Sequence, residues 1–298
     1  MREIERRFRG RVRQGRSERY SLINEAVNLT TECLTKHFED KKSFLLRVQS
    51  ESFKVLIMST KKDMQLALMN ANHMLALYPR QILSIEIITQ GTQQQDKSDS
   101  RISIVNEDIF LNNQKVVETF KAFGERKNWV KQQYLKMKYV ANSDTPIFII
   151  DADTFLVQPI FLFSKSLHTL LIDKKDFHYP YTAHARRFFN QTQPLLNFTN
   201  HLQIQFPSYY NSMFPVDFDL DWIGWAMLGR QYGEDSPFGE FQTYAGAVLN
   251  QKTHEPLLVL LDHNTHDVTN LSLSEIKKVF KDYKGNVFTV GNKLSTRD

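Results

Sequence analysis

Residues 146–159, PIFIIDADTFLVQP, constrain the fold more than any other stretch of the chain. Ile147 to Ile150 are apolar in succession, without the alternation of a half-wet strand. They read as a strand buried on both faces of a parallel sheet. The run passes directly into Asp151-Ala152-Asp153, and a second apolar run, Phe155 to Val157, follows. Carboxylates at the end of such a strand stand at the rim of the sheet, where open α/β folds bind their ligands. Paired carboxylate oxygens suit Mg²⁺ or Mn²⁺ bridging a diphosphate. The plainer alternative is a strand ending in a polar turn, with Asp151 capping the next segment. A D-x-D triplet by itself decides little, since Asp217-Phe218-Asp219 and Asp219-Leu220-Asp221 repeat it in this chain.

The order of elements around this strand points to an α/β fold with a mainly parallel central sheet. Lys54 to Met58 reads as the first core strand, ending at Ser59-Thr60 with Asp63 just beyond. A helix over roughly 64–78 follows, closed by Pro79, and then a strand over Ile82 to Ile88. Strand, helix and strand in this order imply a right-handed parallel crossover and a Rossmann-like sheet with helices on both faces. No glycine fingerprint follows the first strand, which argues against a conventional NAD site. Residues 90–101 form a polar loop, and Ile102 to Val105 a short strand. One helical stretch is expected over 114–140, with Val130, Tyr134 and Met137 on one face and Gln133 and Lys136 on a neighbouring one. Residues 177–215 read as aromatic and irregular. Residues 217–232 read as partly helical, 240–250 as helical and Leu257 to Leu261 as a late strand. Trp222 and Trp225, three apart, fit a core better than a sugar-stacking platform.

At 298 residues the chain is long enough for a full α/β core. The domain reading is a basic arm and helical extension over 1–50, with helix over 18–48, and one α/β domain over 51–298. No apolar run approaches a membrane span, and the N-terminus lacks the apolar core of a secretory signal. A single cysteine, Cys33, excludes an internal disulfide framework and a cysteine-based zinc site. A cytoplasmic setting is expected. The net charge of +5 is concentrated at the start, where residues 1–16 hold seven arginines against two glutamates. Such an arm is either a solvated end or a contact to an anionic membrane surface or acidic glycan, which would place the protein at the inner face of the cytoplasmic membrane. No nucleic-acid-binding motif accompanies it, so nucleic acid is not an expected partner.

Three segments together resemble a known family. Trp129-Val130-Lys131-Gln132-Gln133-Tyr134-Leu135-Lys136 matches a W-x-x-Q-Q-x-x-K helix. Asp151-Ala152-Asp153 matches a D-[AS]-D strand end, and Glu240-Phe241-Gln242-Thr243-Tyr244 an E-[FY]-x-x-Y element. In this combination the chain resembles GT-A type glycosyltransferases of bacterial surface-polysaccharide clusters, over roughly residues 53–250. Pro180-Tyr181 falls where that family tends to carry Pro and Tyr. Gly239 departs from the family, which usually has Ser before the glutamate, and residues 200–235 follow its pattern poorly.

The resemblance implies a single GT-A domain that transfers a sugar from a nucleotide-sugar donor, most simply a UDP-sugar, to a glycan or lipid-linked glycan acceptor. It implies Mn²⁺ or Mg²⁺ held by Asp151 and Asp153, and a late histidine reaching the metal, His263 in preference to His266. Gln133 and Lys136 suit sugar hydroxyls and phosphates. Ser59, Thr60 and Asp63 lie where such folds hold the nucleoside, although strand-to-helix capping would explain them equally. Glu240 is the candidate base for the acceptor hydroxyl, with Glu234-Asp235 as the second candidate and a helix-dipole role as the plainer reading. Two other classes compete. A D-x-D phosphatase is disfavoured by Phe155 and by the mid-chain position of the motif. A non-catalytic carbohydrate- or nucleotide-binding protein on a decayed fold is disfavoured by the intact Asp151/Asp153 pair and Glu240.

Overall fold

The computed structural model describes residues 50–91, 99–165, 167–173, 179–189, 198–199, 201–230, 238–251, 255–261, 263–267 and 287–291. The basic arm and the helix expected over 18–48 lie outside them. The strands are β1 (Phe53–Met58), β2 (Ile82–Thr89), β3 (Ile102–Asn106), β4 (Ile147–Asp151), β5 (Thr154–Leu156), β6 (Leu167–Asp173), β7 (Leu202–Gln205), β8 (Glu255–Leu261), β9 (His263–Asp267) and β10 (Val287–Gly291). The helices are α1 (Met64–Leu77), α2 (Gln114–Lys121), α3 (Lys127–Ala141), α4 (Tyr179–Phe188), α5 (Pro207–Met213), α6 (Phe218–Arg230) and α7 (Glu240–Gln251).

The central sheet has the order β3-β2-β1-β4-β7. Its first four strands are parallel, and β7 runs antiparallel beside β4. The order 3-2-1-4 is that of a doubly wound sheet. The chain builds outward from β1 to β3 and then crosses back to the far side of β1, which leaves a switch point between the carboxyl ends of β1 and β4. Ile147 to Ile150 are fully buried, as an unbroken apolar run demands. Their alternate side chains serve two cores. Ile147 and Ile149 join Val116, Tyr134, Trp222 and Tyr244 from α2, α3, α6 and α7 on one face. Phe148 and Ile150 join Ala67, Ala71 and Met74 of α1 on the other. Trp222 and Trp225 are core residues, 0% and 1% exposed.

Two sequence expectations are corrected. The helix expected over 114–140 is two helices. Gly124 (φ +57°) opens a 3₁₀ turn between them, in the left-handed region that a side chain resists. The segment 177–215, read as irregular, contains α4, β7 and α5. Strand β7 is short, and two of its four residues are buried glutamines that obscure any apolar pattern. Gln203 is bonded at both ends and Gln205 at its carbonyl oxygen. Gln203 Nε2 donates to Thr169 O (3.0 Å) and its Oε1 accepts from Leu171 N (3.1 Å), while Gln205 Oε1 accepts from Tyr210 Oη (2.9 Å).

The acidic triplets at 217–221 are structural. Asp217 caps α6, accepting from Asp219 N and Leu220 N at 2.9 and 3.0 Å. Asp219 is buried and accepts from Tyr134 Oη (2.8 Å), Lys138 Nζ (2.7 Å) and Asn113 Nδ2 (3.0 Å). Asp221 accepts from the backbone of Val216 and Asp217.

Candidate functional site

A cleft of about 270 Å³ opens at the switch point. One wall follows β1 and enters α1, with Met58, Thr60, Lys62, Asp63 and Leu66. The other comprises Asp151, Ala152 and Asp153 after β4, with Trp129, Gln132, Gln133 and Lys136 of α3. The parallel pairing that puts Met58 beside Asp151 brings the two strand ends together. Spacings of three and four residues along α3 align Trp129, Gln132, Gln133 and Lys136 on one face.

Lys136 is 4% exposed and lies between two carboxylates, 2.9 Å from Asp151 Oδ1 and 2.8 Å from Glu240 Oε1. Its ammonium also sits 4.8 Å from the centre of the Phe241 ring. Burial alone would lower the lysine pKa, but Asp151 and Glu240 outweigh it and hold the ammonium above its ordinary value. Burial likewise pushes Asp151 upward, yet Lys136 and His201 together hold this carboxyl below the usual range. His201 Nδ1 is 3.5 Å from Asp151 Oδ2, and Asp151 N donates to His201 O (3.0 Å). Asp153 differs. Burial and the neighbouring Asp151 carboxylate raise it to about 6.

Glu240, the first residue of α7, is 3% exposed and does not line the cleft. Its backbone N donates to Gln133 Oε1 (3.0 Å), so the glutamine satisfies one of the free N–H groups at the start of α7. Burial pushes the Glu240 carboxyl up against the opposing pull of Lys136. In this arrangement Glu240 is the counter-ion of Lys136 rather than a free base facing the cleft, in contrast to the role read from the sequence. Ser59, expected beside the nucleoside, stands between the lining residues Met58 and Thr60. It is buried outside the cleft lining, with its Oγ donating to Thr60 O (3.0 Å). Thr60 and Asp63 do face the cleft, joined by a 2.5 Å bond from Thr60 Oγ1 to Asp63 Oδ2. His263 and His266 lie on β9, opposite Val287 and Val290 of β10. Glu234 and Asp235 lie outside the described residues. Trp129, Lys62, Gln132 and His201 are site residues to which sequence reasoning gave no role. Trp129 and Gln132 had a signal, as members of the W-x-x-Q-Q-x-x-K helix.

The residues present fit a divalent cation of the substrate-bridging kind. The cleft lining carries two lysines, Lys62 and Lys136, against three carboxylates, Asp63, Asp151 and Asp153. Among the described residues no cluster of three or more acidic, histidine or cysteine side chains forms a self-sufficient metal cage. One or two carboxylates completed by phosphate oxygens and water is the usual Mg²⁺ arrangement. Asp153, with its raised pKa, is a carboxylate short of positive charge.

The departure at Gly239 has a local cause. A Cβ there would stand 2.9 Å from Tyr181 Cδ2 and 3.1 Å from its Cγ. That ring is stacked on Trp129 at 10° and 6.1 Å, so it has little freedom to retreat. Gly239→Ser is expected to cost about 1–3 kcal/mol through overpacking. Combining it with Tyr181→Ala should recover part of that loss in a urea-denaturation double-mutant cycle. A neutral Gly239→Ser would refute the steric account.

No family model and no curated protein matches the sequence. Solved structures with a similar chain path include the galactosyltransferase LgtC in complex with donor and acceptor sugar analogues, 10% identical, with a TM-score of 0.46 over 82% of this chain and 90% of that one. Mouse xyloside xylosyltransferase 1 in its apo form is 10% identical, with a TM-score of 0.44 over 81% and 98%. An active-site mutant of LgtC is 9% identical, with a TM-score of 0.39 over 80% and 86%.

Proposed function

We propose that this chain is a metal-dependent glycosyltransferase. In this reading it moves a sugar from a nucleotide-sugar donor, a UDP-sugar in the first instance, to a glycan or lipid-linked glycan acceptor during synthesis of a bacterial capsule, lipopolysaccharide or other surface polysaccharide. One observation carries the reading. Asp151 and Asp153 meet the α3 face bearing Gln132, Gln133 and Lys136 in a single cleft at the sheet's switch point. The sequence resemblance, whose motifs are the elements that meet there, supports it.

Asp151 and Asp153 would hold the cation. Of the two β9 histidines expected to reach it, His266 rather than His263 lies toward the Asp153 end, since His263 registers through Val287 with Leu156 and Thr265 through Thr289 with Thr154. A divalent cation there would neutralise the charge on the departing nucleoside diphosphate. The cleft lining's own excess of carboxylates makes such a cation necessary for a dianionic ligand to enter. Lys136, fixed between two carboxylates, presents a charge that needs no reorganisation. The half-buried amide of Gln132 suits sugar hydroxyls, and the Thr60–Asp63 turn suits the nucleoside. Glu240 acts through Lys136 by holding it in place. The arginines of residues 1–16 suit an anionic membrane surface that presents a lipid-linked acceptor.

The test is a thermal-shift panel of nucleotides and nucleotide sugars with and without Mn²⁺. At a hundred times its Kd a ligand adds about 2.7 kcal/mol. That corresponds to a rise in Tm of roughly 4 °C for a chain of this size. The rise is expected for one nucleotide base and only with Mn²⁺. Absence of stabilisation by every nucleotide under both conditions would refute the reading.

A further inference from the structure

Asp151 and Asp153 stand where the chain leaves one sheet and enters another. Asp151 ends β4 in the central sheet, and Thr154 opens β5, which pairs antiparallel with β10 in a separate three-stranded sheet. Ala152 and Asp153 belong to neither strand. The side chain that spans this crossing comes from α1. Asn70 Nδ2 donates to Asp151 O (3.1 Å) and to Thr154 O (2.7 Å), the two carbonyls that bracket Ala152-Asp153. One turn later His73 Nε2 donates to Leu156 O (2.7 Å).

Asn70 is fully buried, and its Oδ1 has no hydrogen-bond partner. Turning the amide over would aim Oδ1 at two carbonyl oxygens, so the orientation is fixed by its partners. A buried acceptor left unpaired is unfavourable. An apolar residue would avoid that cost on a helix otherwise packed through Ala67, Ala71 and Met74, but it would release both carbonyls. The same helix begins at the opposite wall of the cleft, with Asp63 before it and Leu66 in its first turn. One rigid element therefore holds both walls.

We infer that Asn70 is a positioning residue for the acidic pair: by clamping the carbonyls on either side of Ala152-Asp153 it sets the separation and direction of the Asp151 and Asp153 carboxylates, and so their affinity for a divalent cation. The inference rests on the reading of that pair as a cation site. Asn70 itself touches neither cation nor substrate.

The experiment is titration with Mn²⁺ alone, followed by loss of the free aqueous Mn²⁺ signal in electron paramagnetic resonance. It compares the wild-type chain with Asn70→Ala, Asn70→Asp and Met74→Ala. Met74 is equally buried on the same helix and reports the effect of destabilisation alone. At a temperature where every variant is folded, the two Asn70 variants are expected to bind Mn²⁺ at least tenfold more weakly, as removal of groups that orient metal ligands does. Met74→Ala should bind as the wild type does. Wild-type affinity in Asn70→Ala, or equal weakening in Met74→Ala, overturns the inference and leaves the cation site standing. Absence of Mn²⁺ binding in the wild type overturns both. If the Asn70 variants do not fold, His73→Leu carries the test, because it loosens the same crossing at Leu156. Weakened Mn²⁺ binding supports the clamp, and unchanged binding overturns it.

Discussion

Lys136→Met is expected to lower the stability of this protein by about 3–5 kcal/mol, because it strands the Glu240 carboxylate in the interior without its counter-ion. The corresponding fall in Tm is on the order of 10 °C. Asp151 suffers less, since its side chain is 28% exposed and keeps His201 beside it. The double variant Lys136→Met/Glu240→Leu should regain most of the loss, as apolar replacement of a whole buried pair usually does. It should not regain metal-dependent nucleotide binding, because the fixed cation of the cleft is gone. Urea denaturation reads the first effect and thermal shift with nucleotide and Mn²⁺ the second. A single variant within 1 kcal/mol of wild type would show that Glu240 reaches solvent or another partner. A double variant that binds nucleotide normally would remove Lys136 from the site.

Asp153→Asn is expected to abolish Mn²⁺-dependent nucleotide stabilisation while making the ligand-free protein more stable. The carboxyl is raised from its ordinary value to about 6, chiefly by burial and then by Asp151. The folded state thus holds this proton more tightly than the unfolded state does. Stability falls as pH rises from about 4 to about 6, and the whole penalty is present above that window. Removing the charge should return about 1–2 kcal/mol at pH 7.5, allowing for solvent screening of a partly exposed group. The difference from wild type should close below pH 4. Denaturation in the presence of a chelator at pH 3.5 and pH 7.5 measures both ends. Loss of stability at pH 7.5 would mean that Asp153 is held by a favourable contact, and its role as the cation's open ligand would fall.

The sequence was most legible where one physical demand acted alone. Ile147 to Ile150 had to be buried, and they are. Ser59 and Asp151 were correctly read as lying at strand ends, since apolar runs stop where the sheet meets water. The site became hard to read where one residue answers to several partners from distant segments. Glu240 read as the base for the acceptor hydroxyl because nothing nearby in sequence shows that Lys136, 104 positions earlier, is its partner. Gln133 read as a ligand for hydroxyls, yet its carbonyl oxygen is committed to the start of α7. Asn70 had no role read from the sequence, because its purpose depends on a turn 81 residues away. Strand β7 was hidden because its two buried glutamines find partners in tertiary structure that a periodicity argument cannot see. The pairing of Gly239 with Tyr181 turned an apparent departure from a family pattern into a packing constraint.

The placement of the three tryptophans gives the protein a built-in optical reporter. Trp222 and Trp225 are sealed in the core 6.2 Å from one another, where nothing soluble reaches them. Trp129 alone lines the cleft. The collisional quenching of this chain's fluorescence therefore reports on a single side chain, and whatever occupies the cleft shields it.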